Sequence, residues 1–257
     1  AGIEVETEVL KDECDALNPV FFHYITTQTP YVVMKYAMTL DGKIATRTGH
    51  SKWISGEASR GRVQQTRNAL KGIMVGIGTV LNDDPMLTCR IDGGRNPIRI
   101  ICDSKLRIPL SSQVVTTAKE VATIVATIEP HVEYTRFWNE QKAALEEQGV
   151  EVVVVKEVND RLDLKDLMRQ LGERKIDGIL LEGGSTLNYA ALQAGIVNRI
   201  EAYIAPKLFG GAGLYTPVGG EGVEYATEGI ECRLLTADKI EEDILLTYDV
   251  LNKTDAE

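Results

Sequence analysis

The sequence predicts an α/β protein: a mostly parallel central sheet with helices on both faces and an antiparallel C-terminal end. Three observations carry this. Short unbroken Val/Ile/Leu runs recur along the chain, as in strands covered on both faces. Helical segments of about ten residues separate them, as in parallel crossovers. Beyond residue 200 the runs follow one another with no convincing long helix between them, which suits an added antiparallel edge.

In chain order, residues 1–29 begin mid-pattern, with a short helix near Lys11–Leu17 and a linker from Thr26 to Pro30. They are expected to be the tail of something larger, and residues 30–257 the domain proper. Tyr31–Met38 is apolar and β-branched, a strand. Asp41-Gly42 is a strong turn signal, and Lys43–Arg47 is expected to return as the partner strand. Ser55 is a good N-cap for a helix from Gly56 to about Leu70, with Glu57 in its first turn. Buried strands then read at Gly72–Ile77, Ile98–Cys102, Val121–Ala126, Val150–Val155 and Gly178–Leu181. Thr135–Gln148, Leu164–Arg174 and Thr186–Ala194 read as helices. Ala202–Ala205, Glu231–Leu235 and Ile244–Val250 close the sheet. Gly210–Gly222, with six glycines, is expected to be a loop.

Composition narrows the function. With 257 residues, 44% hydrophobic and 26% charged, disorder, collagen and coiled coil are excluded as the main state. A net charge of −10 argues against nucleic acid and anionic membranes as partners. The charge is uneven, however: residues 1–30 are net −5, 31–110 net +7 and 111–257 net −12. No run approaches the roughly 18 apolar residues of a membrane span, and the N-terminal residues have no export signal. Cys14, Cys89, Cys102 and Cys232 form no CxxC and no zinc spacing; they read as reduced thiols of a cytoplasmic protein, with no metal expected. Three histidines and no GxSxG argue against a nucleophile-elbow hydrolase. His131-Val132-Glu133 matches H-x-E, the start of a zinc deaminase signature, but no P-C-x-x-C follows and the match is read as chance.

Ligands of open α/β sheets bind at the carboxyl ends of strands. Three predicted strand ends there present carboxylates, hydroxyls and glycines: Gly78-Thr79 to Asp83-Asp84-Pro85, Asp103-Ser104, and Glu182-Gly183-Gly184-Ser185-Thr186. The last has the strongest local mechanism. Its glycines admit a ligand to the backbone, and a helix N-terminus behind them offers free N–H groups to a phosphate. Gly76-Ile77-Gly78 begins like GxGxxG but has Leu81 at the third glycine position, so a Rossmann fingerprint is disfavoured. Arg67 and Arg90 are candidate anchors for a phosphorylated substrate. Lys35 interrupts an apolar run on the face of Val33 and Ala37, so it is either at a sheet edge or aimed into a polar pocket. Trp53 is either core or a flat wall for a heterocycle.

Taken together these segments are familiar. Pro30–Ala45 with its central Lys35 and Asp41-Gly42-Lys43, Gly49–Ile54, Gly78–Thr88, Leu181–Gly184 and Ile204–Lys207 resemble the riboflavin-biosynthesis reductases, which reduce 5-amino-6-(5-phosphoribosylamino)uracil on a dihydrofolate-reductase-like fold. The resemblance covers about residues 30–250. Ala1–Val5, Leu17-Asn18 and Phe21-Phe22 resemble the tail of the deaminase domain that precedes this reductase in bifunctional chains; the deaminase ligands are missing, so no deaminase activity is expected.

The resemblance implies NADPH as cofactor, contacted by Ala37, Trp53, Thr79, Asp83, Ser104 and the segment from Gly183 and Gly184 through Ser185, Thr186 and Leu187. It implies Ser51, Arg67, Leu87, Arg90 and Glu182 as substrate contacts, a homo-oligomer, and a deaminase domain as partner in the parent chain. Ser104 and Arg107 are candidate partners of a 2′-phosphate. Lys52 stands where relatives often have Gln, and the connection from Arg90 to Pro97 is shorter than in some. Hydride transfer to ribose C1′ needs proton movement nearby, for which Glu182 or Asp83 is the candidate shuttle, with Lys35 the candidate to stabilise developing negative charge. Two other readings stay open: another dihydrofolate- or pterin-type reductase, and a non-catalytic NADPH-binding module.

Overall fold

The computed structural model describes residues 2–213 and 215–251. Two helices lead in, α1 (Lys11–Leu17) and α2 (Pro19–Thr27). The central sheet takes β1 (Tyr31–Thr39), β2 (Gly72–Gly76), β3 (Ile98–Cys102), β4 (Thr123–Thr127), β5 (Glu151–Val154), β8 (Gly178–Leu181), β9 (Arg199–Ala205), β10 (Cys232–Ile240) and β11 (Asp243–Val250). A separate two-stranded ladder joins β6 (Glu157–Val158) to β7 (Arg161–Leu162). The remaining helices are α3 (Glu57–Ala69), α4 (Ile77–Asp83), α5 (Gln113–Thr116), α6 (Thr135–Glu147), α7 (Leu164–Glu173) and α8 (Ser185–Gln193).

The sheet order is β10-β11-β9-β1-β8-β2-β3-β4-β5. From β9 to β5 every pairing is parallel, and β11 and β10 add the antiparallel end. This is the predicted fold class. Alternation along the strands explains the layers. Val32 and Met34 join Met74, Ile100 and the apolar side of α7 on one face. Ile73, Val75 and Ile101 meet α4 and α6 on the other, where Val33 packs on Val63 of α3. β8 lies between β1 and β2, so the chain crosses over it before it is laid down. The strand ends beside that reversal are where such sheets bind ligands.

Three local expectations are corrected. Lys43–Arg47 does not form a hairpin strand: Thr39 N–H donates to Lys43 O, then the chain departs and Ile44 N–H donates to Tyr215 O. The N-cap of α3 is Gly56, not Ser55. Its free donors are met from far away in sequence, for the Asp243 carboxylate accepts from Gly56 N–H at 2.7 Å and Ser59 Oγ at 2.5 Å. The linker from Thr26 to Pro30 is helical through Thr27, because Pro19 opens α2 and the Asn18 side chain accepts from Phe21 N–H. Gly210–Gly222 holds no helix or strand among its described residues.

Candidate active site

A cleft of about 910 Å³ opens at the carboxyl ends of β2, β3 and β8. Sequence order explains its walls. β2 ends at Gly76 and turns directly into α4, so Gly76, Gly78, Thr79 and Asp83 reach the cleft. β8 ends at Leu181, and Gly184 caps α8 in an extended conformation. Ser185, Thr186 and Leu187 follow as its first turn, where backbone N–H groups have no intrahelical acceptor. A Cβ at Gly78 or Gly184 would meet no protein atom within 4 Å, so a side chain at either would occupy the cleft itself.

Ser104 follows β3 and lines the opposite end with Lys105 and Arg107. Arg161 joins them from β7. The β6–β7 turn delivers it: Asn159 and Asp160 both have positive φ, 52° and 58°, the conformation of a tight hairpin. Arg107 Nε also sits 3.5 Å from Oδ1 of the wholly buried Asp103, which accepts from Ile108 N–H. Ser51 and Tyr215 come from the two long loops.

A second cluster lies next to this cleft. Met34 pairs with Leu181, which sets Lys35 beside Glu182 across β1 and β8. Arg67 reaches up from α3 and grips Glu182 with two bonds, Nε to Oε1 at 2.7 Å and Nη2 to Oε2 at 2.9 Å. Its Nη1 donates to Thr88 O. Burial alone would raise the Glu182 carboxyl, but the Arg67 charge and hydrogen bonds, with Lys35 and Arg90, hold it below its ordinary value. Burial works against the Arg67 charge too, and Glu182 outweighs it. Burial pulls Lys35 below the usual lysine range; Glu182 and Glu201 oppose this and Arg67 assists it.

The structure therefore gathers Ser51, Thr79, Asp83, Ser104, Gly184, Ser185, Thr186 and Leu187 on one cleft, and Lys35, Arg67 and Glu182 in the cluster beside it. Gly183 is packed inside the turn, where a Cβ would lie 2.8 Å from Asn188 Oδ1. Ala37 is partly buried in the β1 face. Arg90 is exposed, its backbone N–H bonded to Gln64 Oε1. Leu87 turns its side chain into the core at a positive φ of 52° and does not line the cleft. Trp53 is not core: it is 66% exposed, at φ 63°. The Arg60 guanidinium stacks 4.2 Å from its ring, and Lys207 Nζ donates to both Trp53 O and Ile54 O at 2.7 Å. Sequence reasoning missed Lys105, Arg161 and Lys207. Lys105 was legible as a cation next to Ser104 at a strand end; Arg161 and Lys207 act across distances that no local pattern encodes.

Residues 30–246 match the family described as the RibD C-terminal domain. The chain is 54% identical over 252 residues to the riboflavin biosynthesis protein RibD of Actinobacillus pleuropneumoniae, covering 98% of this chain and 65% of that protein. It thus spans about two thirds of the length of such relatives. It is 41% identical over 224 residues to the 2,5-diamino-6-ribosylamino-4(3H)-pyrimidinone 5′-phosphate reductase of Methanothermobacter thermautotrophicus, 86% of this chain and 98% of that one. A solved deaminase/5-amino-6-(5-phosphoribosylamino)uracil reductase from Thermotoga maritima superposes with a TM-score of 0.79 at 31% identity, over 97% of this chain and 65% of that chain. On sequence and on fold alike, the chain belongs to the RibD C-terminal domain family.

Proposed function

We propose that the chain catalyses the NADPH-dependent reduction of 5-amino-6-(5-phosphoribosylamino)uracil to its ribitylamino product, with hydride delivered to ribose C1′. The observation that carries this is one cleft with two separated phosphate-type ends, joined to a partly buried polar cluster. The Gly184–Thr186 turn at the N-terminus of α8 suits a pyrophosphate. Ser104, Lys105, Arg107 and Arg161 suit a further phosphate, the group that distinguishes NADPH from NADH. The volume suits a ligand of that size, and the side-chain-free walls at Gly78 and Gly184 are what a close-lying dinucleotide requires.

When bound, NADPH supplies a hydride. Reduction of the ring-opened C=N form of the substrate also takes up one proton at nitrogen. Glu182, ionised and gripped by Arg67, is an acceptor that orients the substrate or holds its neighbours. Asp83 lies on the open wall. Lys35, desolvated beside Glu182, is the group suited to hand over the proton, since a lowered pKa eases its release. Arg90, exposed and close enough to influence Glu182, is suited to the substrate phosphate.

The test is loss of reduced-nicotinamide absorbance with the phosphoribosylaminouracil, then with dihydrofolate. Turnover with the first alone is expected; turnover with neither would reduce the chain to a binding module. Lys35→Met is expected to lower kcat by about 10²–10⁴-fold with little change in cofactor KM. An unchanged kcat would remove Lys35 from the chemistry.

A further inference from the structure

Glu201 is a partly buried carboxylate that the reaction proposed above leaves without a role. It stands on β9 in register with Lys35 on β1. Neighbouring strands lie about 4.8 Å apart and registered residues share a face. Tyr203, two residues along, shares that face and places its ring 5.7 Å from Lys35 Nζ. The Tyr203 hydroxyl and the Thr66 hydroxyl of α3 both donate to Glu201 Oε2, each at 3.4 Å. Arg62 adds positive charge from α3, and Thr247 is the register neighbour on β11. On the other flank of Lys35 lie Glu182 and Arg67.

Lys35 thus sits between two carboxylates of different standing. Glu182 is answered by the two-bond grip of Arg67. Glu201 has hydroxyl donors, and among the described residues no cationic nitrogen lies within ion-pair distance of it. Its charge is the less compensated of the two, and Lys35 is its registered neighbour. Burial pushes the Glu201 carboxyl upward, while the Tyr203 hydrogen bond, Arg62, Lys35 and the Thr66 hydrogen bond pull it back.

We propose that Glu201 is a positioning residue for the reduction: fixed by Thr66 and Tyr203 on the strand beside Lys35, its negative charge keeps Lys35 protonated as the proton donor. This rests on the role given to Lys35 above. The direct measurement needs neither cofactor nor turnover. In the full chain labelled with ¹³Cε-lysine, the Lys35 resonance is identified by its loss in Lys35→Arg and titrated by NMR. In Glu201→Gln the midpoint is expected to fall by on the order of one pH unit, because a nearby negative charge that favoured the ammonium is gone. Glu201→Asp is expected to recover part of the shift. Should Glu201→Gln not fold, Tyr203→Phe loosens the carboxylate without removing it and is expected to shift the midpoint the same way, by less. A Lys35 midpoint unmoved in the folded variants would overturn the proposal. The alkaline limb of kcat/KM is expected to move down with the NMR midpoint. A moved midpoint with an unmoved limb would keep the electrostatic coupling and defeat the proton-donor part. A wild-type chain that turns over no pyrimidine would defeat the reaction assigned above, and the titration would still read the coupling.

Discussion

At the scale of single residues, the pair Arg67–Glu182 decides how the site behaves with pH. Both side chains are mostly buried, 13% and 16% exposed, so removing one partner strands the other. Breaking such a pair costs about 3–5 kcal/mol in a deep interior, and about 3 kcal/mol is the expectation here. The folded Glu182 titrates below its ordinary 4.5. The stability it contributes is therefore fully present above pH 4.5 and lost as pH falls through the lower folded value. Glu182→Gln is expected to destabilise the protein at pH 7 and to approach the wild type in acid, as read by denaturant midpoints across pH. An equal deficit at pH 7 and at pH 3 would mean that packing, not charge, is what the substitution removed. Arg99 shows the opposite design. It is wholly buried, yet its donors go to neutral oxygens: Thr123 Oγ1, Thr117 Oγ1, Met86 O and Val121 O. Burial pulls it down to about 10. One side chain thereby ties β3 to the loop before β4 and to the segment following Asp84-Pro85.

At the scale of elements, the approach of α2 to α7 is made through a glycine. A Cβ on Gly172 would collide with the carbonyl of Gln28, and Tyr24 Oη donates to Gly172 O at 3.0 Å. Gly172 lies inside α7, where alanine alone would favour the helix by up to about 1 kcal/mol. The collision reverses that sign. Gly172→Ala is expected to cost about 1–3 kcal/mol, as overpacking does, and to raise hydrogen exchange in α2 more than in β1. Exchange raised equally in both would show that α2 is no separate unit. Elements also show what the sequence could and could not reveal. Ile98–Cys102 and Gly178–Leu181 were legible to the residue because a strand covered on both faces is a dense apolar run, broken here only by Arg99. No helix is legible over α4, because its seven residues carry three β-branched side chains and a glycine; they derive their helicity from packing Ile77 and Val80 into the core. The Gly56 cap was invisible for another reason: its acceptor, Asp243, is 187 residues away. The site divides in the same manner. Strand-end residues such as Ser104 and Gly184 were readable; Glu201 was not, since a lone carboxylate in a strand reads as its solvent side until the neighbouring strand is known.

At the scale of the whole molecule, charge counted along the chain and charge counted in space give different answers. Residues 31–110 carry a net +7, which suggests a site for anions. Much of that charge is used internally: Arg67 on Glu182, Arg99 in the core, Arg60 on Trp53, Arg95 on Asn68. The cations left on the cleft are Lys105 and Arg107 from this block and Arg161 from the acidic remainder. What draws an anionic ligand is therefore a small local field within a protein of net charge −10. Such a field is steeply screened, since the Debye length falls from about 30 Å at 0.01 M to about 10 Å at 0.1 M. Cofactor KM is expected to rise with ionic strength in the wild type. Lys105→Gln with Arg161→Gln is expected to raise KM by about tenfold at low salt and to flatten the salt dependence, with kcat little changed, because under the proposed function these groups would meet a part of the ligand remote from the reacting carbon. For NADH, which lacks the extra phosphate, the same double variant is expected to change KM far less. An equal loss for both cofactors would place the two cations on the shared pyrophosphate instead of on an extra phosphate.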